Sequence, residues 1–290
     1  MHRPLLLAAS LFFLLAGSAW AQSAQSVQDS TTAARRYTLF NPTPRSMLRE
    51  MVPDRPGITD SPYTVDPGHV QIESDLFRLV NKEEIGQHDR EFRLNHMLVK
   101  VGLATRTDFQ VEIDSYTWEE HWDDQTPQKE ARQREHGFDD VTLRLKQNLF
   151  GQDGKPAAMA LVGYVRLPTG RNVGNGAVEG GLVVPASYDV SEKLCVEAQL
   201  EGDMNYDKEE AEHYLRIVPS AAVDYKVSEL LTGFGEVAGF WDTRQGAWRA
   251  SLNLGPKLKL NDNLIIDFGT HLALTRESSQ EYFVGVSFRH

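Results

Sequence analysis

The sequence predicts an all-β protein: an antiparallel up-and-down transmembrane β-barrel of about 12 strands behind an irregular, Pro-rich N-terminal segment. Three observations carry the prediction. The chain opens on secretory text, it alternates with period two from about residue 67 to its end, and the polar face of nearly every strand carries ionisable groups.

The leader comes first. His2 and Arg3 make a short basic start, Leu5 to Leu15 form an apolar run, and Ala19-Trp20-Ala21 offers small residues where a signal peptidase reads them. Residues 1–21 therefore read as a signal peptide cleaved before Gln22. After it, no apolar run reaches the length of a membrane helix. The mean hydropathy of −0.41 does not argue against a barrel, since barrel strands are polar at every second position. The net charge of −11 argues against nucleic-acid binding through a basic face. The one cysteine, Cys195, excludes an intramolecular disulfide and reads as a small filler.

Residues 22–66 form a second region. Gln, Ser, Thr and Ala dominate to about residue 35, and Pro42, Pro44, Pro53, Pro56, Pro62 and Pro67 then punctuate an extended stretch. Proline removes donors and disfavours helix before it, so only Arg45 to Met51 can form a helical turn.

The barrel is read over residues 67–290. Leu194, Val196, Ala198, Leu200, Gly202, Met204 and Tyr206 face one way, and Cys195, Glu197, Gln199, Glu201, Asp203 and Asn205 the other. A strand gathers those carboxylates on one side, whereas a helix would scatter them. The pattern recurs in segments beginning near residues 69, 91, 107, 138, 157, 179, 194, 213, 231, 248, 264 and 281, with those near 91 and 157 the least regular. Tight turns are expected at 104–107, 189–193, 226–230 and 260–264, and longer polar loops at 81–90, 119–137, 168–178 and 205–212. Short turns at one end and long loops at the other suit a membrane barrel, with the turns periplasmic.

A soluble sandwich also alternates, so the polar face decides. Glu73, Asp75, Glu112, Asp114, Arg144, Lys146, Arg166, Glu197, Glu201, Arg216, Glu236, Arg249, Lys257 and Asp267 are the candidate lumen-lining residues. Unpaired in a dry core they would cost several kcal/mol each, whereas a wet lumen accepts them. Tyr282, Val284, Val286 and Phe288 alternate in the last strand, although Arg289 and His290 follow where outer-membrane barrels usually end on an aromatic. Tyr63, Trp118, Tyr188, Tyr206, Tyr225, Trp241, Trp248 and Tyr282 at strand ends suit interfacial girdles.

The most specific text runs from Asp54-Arg55-Pro56-Gly57 through Asp60-Ser61-Pro62-Tyr63 to Asp66-Pro67-Gly68-His69. Phe138-Asp139-Asp140-Val141-Thr142-Leu143, Val165-Arg166-Leu167-Pro168-Thr169-Gly170 and Val178-Glu179-Gly180-Gly181-Leu182 follow in order. As a set they resemble the bacterial family of "MetA-pathway of phenol degradation" outer-membrane transporters, over roughly residues 37 to 290. The resemblance implies a barrel in the outer membrane and passage of small compounds, aromatic ones among them. It brings no catalytic residues.

Two features carry open alternatives. Asp54, Arg55 and Asp60 on the stiff lead-in either fold into the periplasmic mouth, with Arg55 on lumen carboxylates as a plug, or belong to a plain linker before the first strand. The acidic positions near 69, 107 and 194 and the basic ones near 138, 213 and 248 either face each other as a transverse field that orients polar solutes, or pair and close a narrow lumen. The histidines, among them His69, His96, His121, His136, His213 and His271, lack ligand spacing, so no metal or cofactor is expected. Gly170, Gly174 and Gly176 lie in a loop with no helix after it, which argues against a phosphate cradle. The function expected is a channel or transporter for small molecules, not an enzyme. Its expected partners are outer-membrane lipids, the barrel-assembly machinery and a small-molecule solute. A structural or adhesive barrel is the alternative, and a barrel-embedded lipid hydrolase built on His271 is the weaker one.

Overall fold

A computed structural model describes residues 37–290, apart from 85–86, 125–132, 172, 209, 245, 276–277 and the side chains of Glu84 and Asp114. The leader read at 1–21, with its cleavage site, and the stretch to residue 36 lie outside the described residues. A single 3-10 turn, Arg45–Met47, stands where a helical turn to Met51 was expected.

Thirteen strand segments follow among the described residues: β1 (Val70–Glu84), β2 (Gln87–Ala104), β3 (Thr107–Asp123), β4 (Gln133–Gly137), β5 (Val141–Phe150), β6 (Ala157–Leu167), β7 (Glu179–Ser191), β8 (Leu194–Asp207), β9 (Glu212–Lys226), β10 (Leu231–Asp242), β11 (Trp248–Asn261), β12 (Leu264–Ala273) and β13 (Gln280–Arg289). Apart from β4 and β5, which do not pair with each other, sequence neighbours pair antiparallel, and β1 pairs with β13 to close the sheet. β4 and β5 both pair with β3, at Thr117↔Gly137 and Glu112↔Thr142, so they form one stave interrupted at 138–140. The result is a closed barrel of 12 strands. Closure leaves no edge with unpaired backbone groups, which hydrocarbon would not tolerate.

The barrel is polar inside and apolar outside. Glu73, Asp75, Asp108, Gln110, Lys146, Asn148, Asp203, Glu236, Asn253 and Asp267 are each at most 2% exposed. Leu145, Leu161, Leu182, Leu200, Leu215, Val237, Leu254 and Phe268 stand 39–58% exposed on the outer face. A soluble protein does not bury its charge and expose a continuous leucine belt; a bilayer-spanning barrel does. Trp118, Tyr188, Tyr225, Trp248 and Tyr282 are exposed on the outer face, while Tyr206 and Trp241 are half-buried. Tyr63 corrects the expected girdle, because it lies with the N-terminal segment beside Gln71, Lys100 and Arg289 of the inner wall.

The connection 168–178 lies between β6 and β7 as expected, whereas the other three expected long loops are shorter than the sequence suggested. β1 and β2 continue to Glu84 and from Gln87, β3 runs to Asp123 with β4 paired against it, and β8 and β9 extend to Asp207 and from Glu212. These extensions carry charge on both faces because cross-strand polar pairs hold them. Asp89 meets His121 at 2.6 Å, Glu120 accepts from Arg134 at 3.0 Å, and Asn81 accepts from Arg90 at 3.1 Å. Outside hydrocarbon a strand needs no apolar face, so its period-two hydrophobicity disappears while its ladder persists.

Candidate functional site

The inner wall is built by period two, with local shifts of phase. β5 turns Thr142, Arg144, Lys146 and Asn148 inward, and β8 turns Gln199, Glu201 and Asp203 inward. On β1 an extra residue at Leu76 breaks the register with β13, so Gln71, Glu73 and Asp75 face in below it and Arg78 above it. Asn95 of β2, at φ 55°, does the same beside it. Its amide oxygen accepts from Ser74 at 2.9 Å, and its amide nitrogen donates to Ser115 at 3.1 Å. Below that shift Lys100 faces inward and is 2% exposed.

The N-terminal segment runs up this interior. Thr38 bridges to Ala104 at the short-turn end. The returning limb climbs β5 residue by residue. The Pro62 carbonyl accepts from Asn148 at 3.0 Å, the Ser61 carbonyl from Lys146 at 2.7 Å, and the Asp60 carboxylate pairs with Arg144. Lower down, the Val65 amide donates to Asp108 at 3.0 Å, and Asp66 is clasped by Arg49 at 2.6 Å and Arg289 at 3.5 Å.

The tip, residues 54–60, reaches every side of the wall. Arg55 grips Asp267 through Nε at 3.1 Å and Nη2 at 2.6 Å, while Nη1 pairs with Asp75. Glu236 accepts from the Ile58 amide at 2.8 Å, the Thr59 amide at 2.7 Å and the Thr59 hydroxyl at 2.6 Å. Glu73 accepts from the Asp54 amide at 2.9 Å, and Gln199 from the Asp60 amide at 2.7 Å. Asp54 itself pairs with Lys100 at 2.6 Å and Lys146 at 2.8 Å. A chain without secondary structure leaves its amides unpaired, and charged interior side chains satisfy them.

At the tip, close approach demands small residues at two points. A Cβ on Gly285 of β13 would fall on the Arg55 guanidinium, and one on Gly57 would meet the Phe234 ring and Glu236. Gly285→Val is therefore expected to displace Arg55 from its two carboxylates and raise single-channel conductance in planar bilayers, while the sheet itself, whose backbone it leaves intact, still forms.

The predicted interior residues divide into two groups. Glu73, Asp75, Arg144, Lys146, Glu236 and Asp267 touch the N-terminal segment directly. The others form pairs within the wall. Arg166 joins Asp139, Asp140 and Glu179, Arg216 meets Asp203 at 2.8 Å, Arg249 meets Asp242 at 3.0 Å, and Lys257 pairs with Asp224 near Glu197. Glu112 lies 3.7 Å from Arg144, and Glu201 takes a 3.4 Å hydrogen bond from Tyr164. The side chain of Asp114 lies outside the described residues. Sequence reasoning missed Lys100, Asp108 and Arg78. The phase shifts beside Asn95 and Leu76 hid Lys100 and Arg78, and Asp108 sits in a tight turn's shoulder.

Beyond the tip, toward the long-loop end, lies a cavity of about 290 Å³ lined by Asp60, Glu112, Arg144, Tyr164, Arg166 and Glu201 among others. A second cavity, of about 120 Å³, continues past the tip between Asp54, Arg55, Gly57 and the wall residues Glu73, Arg78, His96 and Glu112. His271 sits 3.3 Å from Glu281, whose other oxygen accepts from Ser279 at 2.9 Å. The imidazole and that hydroxyl therefore occupy opposite oxygens of one carboxylate and do not face each other as a nucleophile and base must.

Burial works to raise the Asp54 pKa, but Lys100, Lys146 and Arg144 outweigh it and hold the carboxyl well below the usual carboxylate range. A depressed pKa means that the docking energy of Asp54 is fully present above the ordinary carboxylate range and is lost as pH falls through the depressed value. The Asp54 anchor is thus expected to hold through mild acid and to fail only in strong acid. Asp54→Asn, which cannot ionise, should raise conductance at every pH and abolish the acid-induced rise that belongs to this anchor.

A closed 12-strand antiparallel barrel with an apolar outer belt and a charged interior holding the N-terminal chain is a porin-like transmembrane barrel architecture. The chain belongs to the family described as "Putative MetA-pathway of phenol degradation", whose model matches residues 53–289. No curated protein matches it significantly. Among solved structures it is similar to an outer membrane channel from Pseudomonas putida F1, at 11% identity and TM-score 0.58, over 78% of this chain and 100% of that one. It is also similar to the KdgM porin (12% identity, TM-score 0.46, 75% and 98% covered) and the CymD monoaromatic hydrocarbon channel (9%, 0.39, 76% and 87%). The likeness to the Pseudomonas channel speaks to the fold alone, and the weaker superpositions carry nothing further.

Proposed function

We propose that this protein sits in the outer membrane, after removal of residues 1–21, as a channel for small solutes. The segment before β1, of the region 22–66, acts as its plug. One observation carries the reading: a chain without regular structure is held across the barrel interior by charged groups from β1, β2, β5, β10 and β12. A wall whose only task were closure or adhesion needs no such buried charge, since apolar packing closes a small barrel at lower cost. The short turns face the periplasm, lipid surrounds the leucine belt, and the assembly machinery inserts the closed sheet. The family description points to small aromatic compounds, and the polar cavity of about 290 Å³ favours those bearing a hydroxyl or carboxylate.

Reconstituted protein is expected to give small, ion-carrying steps in planar bilayers and to admit benzoate-sized anions into liposomes. Absence of both, in the full chain and after removal of residues 40–66, would show that the barrel is no channel.

A further inference from the structure

Along the plug, one cluster stands between the residues that line the middle cavity and those that line the void below it. Asp54 and Glu73 line the middle cavity of about 120 Å³. Lys100 and Gln71 line a void of about 10 Å³ below it, bordered by Val52, Asp66, Arg289 and Glu50, whose side chain is 69% exposed toward the short-turn end. Between them the Lys100 ammonium bridges Asp54 at 2.6 Å and Glu73, and Gln71 donates to Glu73 at 2.8 Å. The lower void is about the size of one water, so hydrated solute stops at this layer.

We propose that Lys100 is the permeation-limiting residue: its ammonium, clamped between Asp54 of the plug and Glu73 of β1, is the septum between the middle and lower cavities, and it sets both conductance and charge preference. The proposal rests on the channel reading above. Lys100 is the cation whose loss opens the septum without freeing the plug, because Asp54 Oδ1 still accepts from Lys146 and from the Ser61 amide. Withdrawing it leaves the Asp54 and Glu73 carboxylates facing a joined path, and exposed carboxylates in a narrow pore favour cations.

The test is single-channel conductance and reversal potential under a KCl gradient for the wild type, Lys100→Met and Lys100→Arg. The expected result for Lys100→Met is a several-fold rise in conductance and a reversal-potential shift toward cations. Lys100→Arg should keep wild-type selectivity and a conductance no higher than wild type. Should Lys100→Met fail to assemble, Lys100→Cys, made in a Cys195→Ala background, takes its place. Attaching an aminoethyl thiosulfonate reagent to the folded channel restores an ammonium and should lower the current, and reductant should raise it again. A Lys100→Met or unmodified Lys100→Cys channel with wild-type conductance and reversal potential, alongside a plug-excised protein that conducts freely, overturns the septum and leaves the channel reading intact. Silence of every variant, the plug-excised one included, sinks the channel reading itself.

Discussion

Excising residues 40–66 is expected to turn the proposed narrow channel into a wide one, with a many-fold rise in single-channel conductance. The excised segment supplies the polar contacts that cross the interior at the level of Lys100, Lys146, Arg144, Glu236 and Asp267. What remains is a wall that still has internal counter-ions. Glu73 keeps Lys100, Asp75 keeps Arg78 at 2.7 Å, and Glu112 keeps Arg144 at 3.7 Å. Water replaces the lost plug amides at little cost in an open lumen, so the barrel is expected to fold and to remain heat-modifiable on gels. Larger solutes should then swell liposomes that exclude them when the full chain is present. An excised barrel with wild-type conductance would mean that the segment blocks nothing.

The second large effect falls on one guanidinium. Arg55→Ala leaves Asp267, 1% exposed, without the cation that ties the plug tip to β12, while Asp75 of β1 keeps only Arg78. Removing one partner of a buried pair costs about 3–5 kcal/mol, most of it from the stranded charge. The protein relieves that charge by releasing the tip and admitting water. The expected outcome is a noisier, larger conductance with frequent full openings, and a loss of protection of the segment against added protease. Arg55→Lys retains charge but not the two-pronged grip on Asp267, so it should fall between alanine and wild type. Equal conductance in all three would remove Arg55 from the gate.

Much of this was legible from spacing. β8 separates Glu197, Gln199 and Glu201 from Val196, Ala198 and Leu200 so cleanly that strand, face and start at Leu194 follow from periodicity. The tight turns after Ala104, Ser191 and Asn261 were equally plain. β6 was faint because its inner positions Ala158, Ala160 and Val162 are themselves small and apolar, at 0–1% exposure, so both faces look alike. β2 looks irregular because the left-handed residue Asn95 moves the inward set from Glu91 and Arg93 to His96, Leu98 and Lys100.

The division between text and fold has a physical cause. Period-two alternation reports which solvent each side of a strand meets, and that is a local property. Strand number, the apolar belt and the charged interior can therefore be read along the chain. Whether Asp54, Arg55 and Asp60 belong to a linker or lie inside the barrel depends on partners 84 and 212 positions away, such as Arg144 and Asp267. No spacing within residues 37–66 records those partners, because that segment has no repeating backbone pattern of its own. Its place is chosen by the barrel's closure, which brings Glu73, Lys100, Lys146, Glu236 and Asp267 to one level around a chain with free amides and two small glycine contacts.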